Sequence, residues 1–124
     1  MRILIPALFA LIGLAILWAL DIPKDLGAHP WWSQNVILYG GPAGVAIALL
    51  LALTPIRPNI RLILALGLTT AAVVIARNGG FAFSASYADD TAAGQRWFFG
   101  WIAASFGAGA GLTTLTQLAL NRSR

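Results

Sequence analysis

The chain has 124 residues, of which 59% are hydrophobic and only 10% are charged, and its formal net charge is +4. Soluble domains average about 25% charged residues, and a chain this short could not bury so much apolar surface in a water-soluble core. The basic residues stand singly between apolar runs, which argues against a nucleic-acid partner, and the absence of cysteine excludes disulfides and thiolate chemistry. We therefore expect an all-α integral membrane protein with one domain, residues 1–124.

The first predicted membrane span covers residues 3–20, an uncharged run of about 27 Å at 1.5 Å per residue. A cleaved signal peptide is the alternative. We favour an uncleaved helix, because the run is longer than a signal core of about 7–15 residues and no Ala-x-Ala-like site follows it.

Residues 21–34 form the first predicted outer loop, since they contain two prolines, one glycine and three charged residues. Trp31 and Trp32 end this loop, and indoles favour the headgroup level of a bilayer. We therefore interpret these two tryptophans as interface anchors.

The second predicted span covers residues 35–54. Pro42 suggests that its first turns are irregular and that the straight helix begins near that proline. Gly40, Gly44 and Ala48 recur every four residues, a spacing that lets another helix backbone approach closely.

Residues 55–59 form a short turn with two prolines, so the third predicted span, residues 60–76, returns antiparallel to the second. Arg61 and Arg77 mark its two ends and can extend towards opposite interfaces.

Residues 77–96 form the second predicted outer loop. Asn78-Gly79-Gly80 is typical of a helix stop, and residues 81–87 alternate apolar with small or polar residues, which favours a short strand or a segment lying on the membrane. Asp89 and Asp90 are candidate N-caps for the next helix.

The fourth predicted span covers residues 97–120, with Trp97 and Trp101 as further interface anchors. Ala103, Gly107 and Gly111 again recur every four residues, and the segment contains a Gly-x-x-x-Gly pattern typical of close helix packing. We predict that these three residues, with Gly40, Gly44 and Ala48, form helix-packing faces.

Hydroxyl side chains on the third and fourth spans allow two interpretations. They can form hydrogen bonds between helices, or they can line a polar path. We favour packing and keep the path as an alternative. The residues concerned are Thr69, Thr70, Ser105, Thr113, Thr114 and Thr116.

The charges predict the orientation. Four spans, arranged as two antiparallel hairpins, place Arg2, Arg57, Arg61, Arg122 and Arg124 on one side and all four aspartates on the other. Positive residues concentrate on the cytoplasmic side. We therefore expect both termini in the cytoplasm, most simply of a bacterial inner membrane.

The sequence predicts no catalytic residue, metal or cofactor. The spans carry no ionisable residue between their ends, and the only histidine, His29, lies in a loop, which disfavours a haem. Small multidrug exporters are similar in size and span number, but the acidic residue expected in their first helix is missing. The stretch Gly107 to Thr114 resembles part of small fluoride channels over about ten residues and departs from them at Leu115 and Gln117, so no family is assigned.

Two hypotheses on function follow. In the first, the protein is a structural or accessory subunit whose small-residue faces dock onto a larger respiratory, photosynthetic or transport complex, or onto a second copy. In the second, it is a minimal homo-oligomeric transporter or channel for small solutes. The expected partners are the lipid bilayer and other membrane subunits, and no nucleic acid.

Overall fold

The computed structural model describes residues 3–122, which form five α-helices. Four are long and one, α2, is a single turn. They are α1 (Leu4–Ala19), α2 (Ile22–Asp25), α3 (Asn35–Leu51), α4 (Pro58–Ala85) and α5 (Thr91–Arg122). Arg2 and Arg124, which enter the orientation argument, lie outside the described residues, as does the side chain of Arg122.

Helix α5 is the centre of the bundle, because α1, α3 and α4 all pack against it. Helix α3 runs parallel to α5, since Gly40 faces Ile102 and Gly44 faces Phe106. Helix α4 runs antiparallel to α5. Thr69 faces Gly107, whereas Ala76, further along α4, faces the earlier residue Gly100.

Helix α1 packs antiparallel to α3, with Leu14 against Gly41 and the Trp18 carbonyl accepting a hydrogen bond of 2.9 Å from the Gln34 side chain. The long helices therefore alternate in direction. Residues 20–34 and 86–90 lie at one end of the bundle, here named the loop end. The start of α1, residues 52–57 and the end of α5 lie at the other, here named the termini end.

Helix α4 corrects two predictions. It continues to Ala85, so the predicted helix stop at Asn78-Gly79-Gly80 is wrong, and so is the predicted strand or surface segment over residues 81–87. The physical reason is that both glycines serve packing. A Cβ on Gly79 would lie 2.6 Å from the Ala93 carbonyl oxygen, and one on Gly80 would lie 2.8 Å from the Trp97 indole nitrogen. Of residues 77–96, only 86–90 form a loop.

The start of α5 confirms one of the predicted caps. Asp90 precedes the helix, and its Oδ1 accepts a hydrogen bond of 3.1 Å from the backbone N–H of Ala93. The helix therefore begins at Thr91, six residues before the predicted span.

Helix α3 begins at Asn35 and continues through Pro42, so, contrary to our prediction, the helix does not wait for the proline to begin. The proline ring is exposed and does not interfere with the buried glycine face. The helix ends at Leu51, where the Thr54 hydroxyl donates to the Leu51 carbonyl over 2.6 Å.

Two helical segments, Pro58–Ala85 and Thr91–Asn121, are long and apolar enough to cross a membrane, whereas Leu4–Ala19 and Asn35–Leu51 are apolar but shorter. By length and hydropathy, two of the described helices are candidate membrane spans. The prediction of four spans is not supported by this measure. The chain is thus all-helical, and its two long apolar helices support a membrane location.

Candidate functional site

The small residues predicted on α3 lie against α5. A Cβ on Gly40 would collide with the Ile102 carbonyl oxygen, and one on Gly44 would collide with that of Phe106. Ala48, 2% exposed, belongs to a small buried cluster with Ala65 and Ala110, where α3, α4 and α5 meet. These three predicted residues thus share one interface, which lies inside the chain.

The small residues predicted on α5 are not equivalent. A Cβ on Gly107 would collide with the Thr69 hydroxyl of α4, whereas one on Gly111 would lie 3.8 Å from the Ala65 Cβ, an ordinary contact. Ala103 is half-buried against the core. Gly109 against the Gly41 carbonyl and Gly100 against Ala76 are close contacts of α5 that we did not predict from the sequence. Gly100 stands seven residues before Gly107, a spacing that could have revealed it.

The predicted hydroxyl residues do not bond between helices. Five of the six donate to the carbonyl four residues earlier in their own helix, over 2.7–2.9 Å, which is an ordinary way to satisfy a helical hydroxyl. These five are Thr69, Ser105, Thr113, Thr114 and Thr116. The sixth, Thr70, is exposed on α4. The arrangement gives no support to a polar path within one chain.

The predicted tryptophan anchors separate into three environments. Trp31 is 90% exposed, whereas Trp101 is only 3% exposed and belongs to the core, so Trp101 does not anchor the surface. Trp32 and Trp97 pack edge-to-face with ring centroids 5.3 Å apart. The Trp97 indole also donates to the Gly27 carbonyl over 2.8 Å, which docks the first loop onto α5.

His29 joins this aromatic cluster, since its ring centroid lies 5.4 Å from that of Trp97 and 6.0 Å from that of Trp32. Its Nδ1 accepts the backbone N–H of Trp31 over 3.1 Å, so the neutral imidazole carries its hydrogen on Nε2. The association of residues 29–32 with residue 97 could not be read from the sequence, because it depends on how the loop folds over α5.

The cluster borders an open pocket of about 490 Å³ at the loop end. Aromatic rings dominate its lining, and the polar groups are few. The lining residues are His29, Trp31, Trp32, Phe83, Thr91, Gly94, Gln95, Trp97, Phe98 and Phe99. This chemistry suits an apolar or aromatic group held by one or two hydrogen bonds.

No protein-family model, curated protein or solved structure matches this chain. Within residues 3–122, no three His, Cys, Asp or Glu side chains come close enough together to hold a metal ion. Three structural features bear on function: the glycine contacts around α5, the outward surface of the bundle and the aromatic cluster.

Proposed function

We propose that this chain is a polytopic membrane protein in which all four long helices cross the bilayer and both termini face the cytoplasm. It acts as a non-catalytic accessory subunit of a larger membrane complex of respiratory, photosynthetic or transport type.

The outward face of α4 is the observation that carries this proposal. Only 22% of the residues in the apolar window of α4 are buried, although the helix is long enough to cross a membrane. Exposed apolar area costs about 25 cal/mol per Å² in water, so such a face needs lipid or protein to cover it. Its large exposed side chains are Ile60, Ile63, Leu64, Leu66, Leu68, Val74, Ile75 and Phe81.

The packing of the shorter helices α1 and α3 supports the proposal that all four long helices cross the bilayer. Helix α3, about 26 Å long at 1.5 Å per residue, lies parallel to α5 along the glycine contacts from Gly40 to Gly44. Helix α1 also packs on α5, and it exposes Leu8, Phe9, Ile12 and Ile16. A bilayer that contains α5 would therefore contain both neighbours, since it thins locally around short spans at a modest cost.

An accessory role is supported by a flat area on α4. A Cβ on Gly67 would meet no atom within 4 Å, and Ala71, four residues later, is also exposed. Small residues at this spacing let a partner helix approach closely. Apart from Gly111, the glycines of α3 and α5 pack closely within the chain, so the Gly67 face is where another subunit would pack. A transport role has no comparable observation in its favour.

Mild-detergent extraction of the native membrane with a tagged chain, followed by sizing and identification of the co-purifying proteins, tests the accessory role. We expect a stoichiometric larger complex that is lost in Gly67→Leu and kept in Ala43→Leu, a matched change at an exposed position of α3. A chain that elutes alone or only with copies of itself would contradict the proposal.

The orientation has an independent test because the chain contains no cysteine. Single cysteines at Asp89 and Asn59 place one thiol at each end of the bundle. A membrane-impermeant maleimide should label the Asp89→Cys variant in intact cells and the Asn59→Cys variant only after permeabilisation. Equal labelling of both would show that the ends are not on opposite sides.

A further inference from the structure

Arg61, in the first turn of α4, is buried and forms no ion pair with any residue from 3 to 122. It is 8% exposed, and its Nη1 donates to Oε1 of Gln117 in α5 over 3.2 Å. Its Nε is buried and has no hydrogen-bond partner. From the sequence we predicted that this side chain can extend towards the interface, and the structure shows in addition that it contacts Gln117 of α5.

The terminal nitrogen Nη2 of Arg61 is the donor that remains for a ligand. The terminal nitrogen Nη2 of an arginine carries two N–H groups that can donate to the oxygens of a phosphate or a carboxylate. The bond to Gln117 uses the other terminal nitrogen, Nη1. A buried cation that lacks a counter-ion costs free energy. The Nε–H is covered by neighbouring protein atoms, so Nη2 is the donor that Arg61 can offer to an anion.

No aspartate side chain can fill this contact, because all four lie at the loop end. Asp21 and Asp25 flank or belong to α2, and Asp89 and Asp90 lie between α4 and α5. Asp89 is separated from Arg61 by most of α4, about 36 Å at 1.5 Å per residue. The anion must therefore come from outside the described side chains.

The surroundings favour an anion further. Arg57 precedes α4 and is exposed, and no side chain caps this helix N-terminus. The free backbone N–H groups there add partial positive charge. Helical side chains lean towards the N-terminus of their helix, so Arg61 leans towards the termini end.

We propose that Arg61 binds the phosphate of an anionic lipid at the termini end, with Gln117 holding the guanidinium in place. The proposal rests on the membrane placement argued above, because that placement brings the first turn of α4 to the level of lipid phosphates. Basic residues between helices near the cytoplasmic surface are a common setting for such headgroups.

The thermal midpoint of the purified chain in a neutral detergent, with and without phosphatidylglycerol, tests this site. We expect phosphatidylglycerol to raise the midpoint of the wild type and of Arg77→Gln, a control on the exposed part of the same helix. Arg61→Gln should weaken lipid binding about tenfold or more, as expected when charge-assisted hydrogen bonds are lost. Arg61→Lys should bind at an intermediate level, because lysine keeps the charge but cannot hold Gln117 and the phosphate through two separate terminal nitrogens. An unchanged lipid effect in Arg61→Gln would overturn the proposal.

A measurement with inorganic phosphate distinguishes a lipid headgroup from a free phosphate ion as the ligand of Arg61. If phosphate alone gives the full Arg61-dependent shift at millimolar concentration, the site takes a free anion and the lipid assignment is wrong. Native mass spectrometry adds a readout that does not depend on stability. One phosphatidylglycerol should remain bound per wild-type chain and be lost in Arg61→Gln, and no retained lipid in the wild type would contradict the site. Both measurements use detergent and no partner subunit, so they can succeed even if the accessory role fails.

Discussion

Gly44 of α3 lies so close to Phe106 of α5 that a Cβ on the glycine would occupy the space of the Phe106 carbonyl oxygen. The neighbouring atoms are backbone and cannot rotate away. We therefore predict that Gly44→Ala separates α3 from α5 and lowers the stability of the detergent-purified protein by about 1–3 kcal/mol or more, the usual range for overpacking.

The control for this prediction is Gly67→Ala. Gly67 has no atom within 4 Å of its Cβ position, and alanine favours a helix over glycine by about 1 kcal/mol. The thermal midpoint should therefore fall in Gly44→Ala and stay level or rise in Gly67→Ala. Equal behaviour of the two variants would show that the α3–α5 contact is not close.

Gly107 and Thr69 provide a test of the α4–α5 contact. A Cβ on Gly107 would collide with the Thr69 Oγ1, whereas one on Gly111 has room. Gly107→Ala should therefore destabilise the protein and Gly111→Ala should not. Thr69→Ala removes the obstructing hydroxyl, so the double variant should recover part of the loss, and a double-mutant cycle on thermal midpoints measures this coupling. Strict additivity of the two changes would contradict the contact.

Asp90 and Asp89 are neighbours with different roles. The Asp90 carboxylate caps α5 through Ala93, whereas Asp89 uses only its backbone N–H, which donates to Ser86. Asp90→Ala should cost about 0.5–2 kcal/mol, the usual effect of losing an N-cap. Asp89→Ala should leave stability nearly unchanged. Comparison of the two unfolding midpoints checks the assignment, and a larger loss in Asp89→Ala would refute it.

Trp97 holds the first loop through its indole N–H. Trp97→Phe keeps an aromatic ring but removes the bond to the Gly27 carbonyl, which typically contributes about 1 kcal/mol. Hydrogen exchange of residues 24–30 should therefore become faster. Trp31→Phe, at a ring that is 90% exposed, should leave that exchange unchanged. Slow exchange in both variants would mean that other contacts hold the loop.

The parts of the fold that depend on local pattern could be predicted from the sequence. The helical class, the run of α1 and the Asp90 cap follow from apolar length and from side-chain chemistry within one turn. The role of Gly79 and Gly80 could not be predicted in this way, because glycine is common both at helix ends and at close contacts between helices. Only the position of Ala93 and Trp97 on the neighbouring helix decides between these two roles.

The predicted site residues likewise show which features follow from local sequence pattern and which depend on contacts between helices. The spacing of Gly40 and Gly44 correctly placed them on one face of α3, but the sequence does not say that the facing helix belongs to the same chain. Thr113 and Thr114 are polar in sequence, yet each hydroxyl is satisfied by a carbonyl of its own helix. Arg61 is bonded to Gln117, which lies 56 residues later in the sequence. No local sequence pattern reveals that these two residues are in contact.

The central place of α5 also has a consequence for biosynthesis. Helices α3 and α4 both pack extensively on α5 and scarcely touch each other, yet the ribosome makes them first. Until α5 has been made, α3 and α4 have no shared neighbour, and the glycines with which they contact α5 are uncovered. A chain truncated before Thr91 would therefore keep the contact between α1 and α3 but leave α4 almost without a packing partner, and α4 would be open to proteolysis.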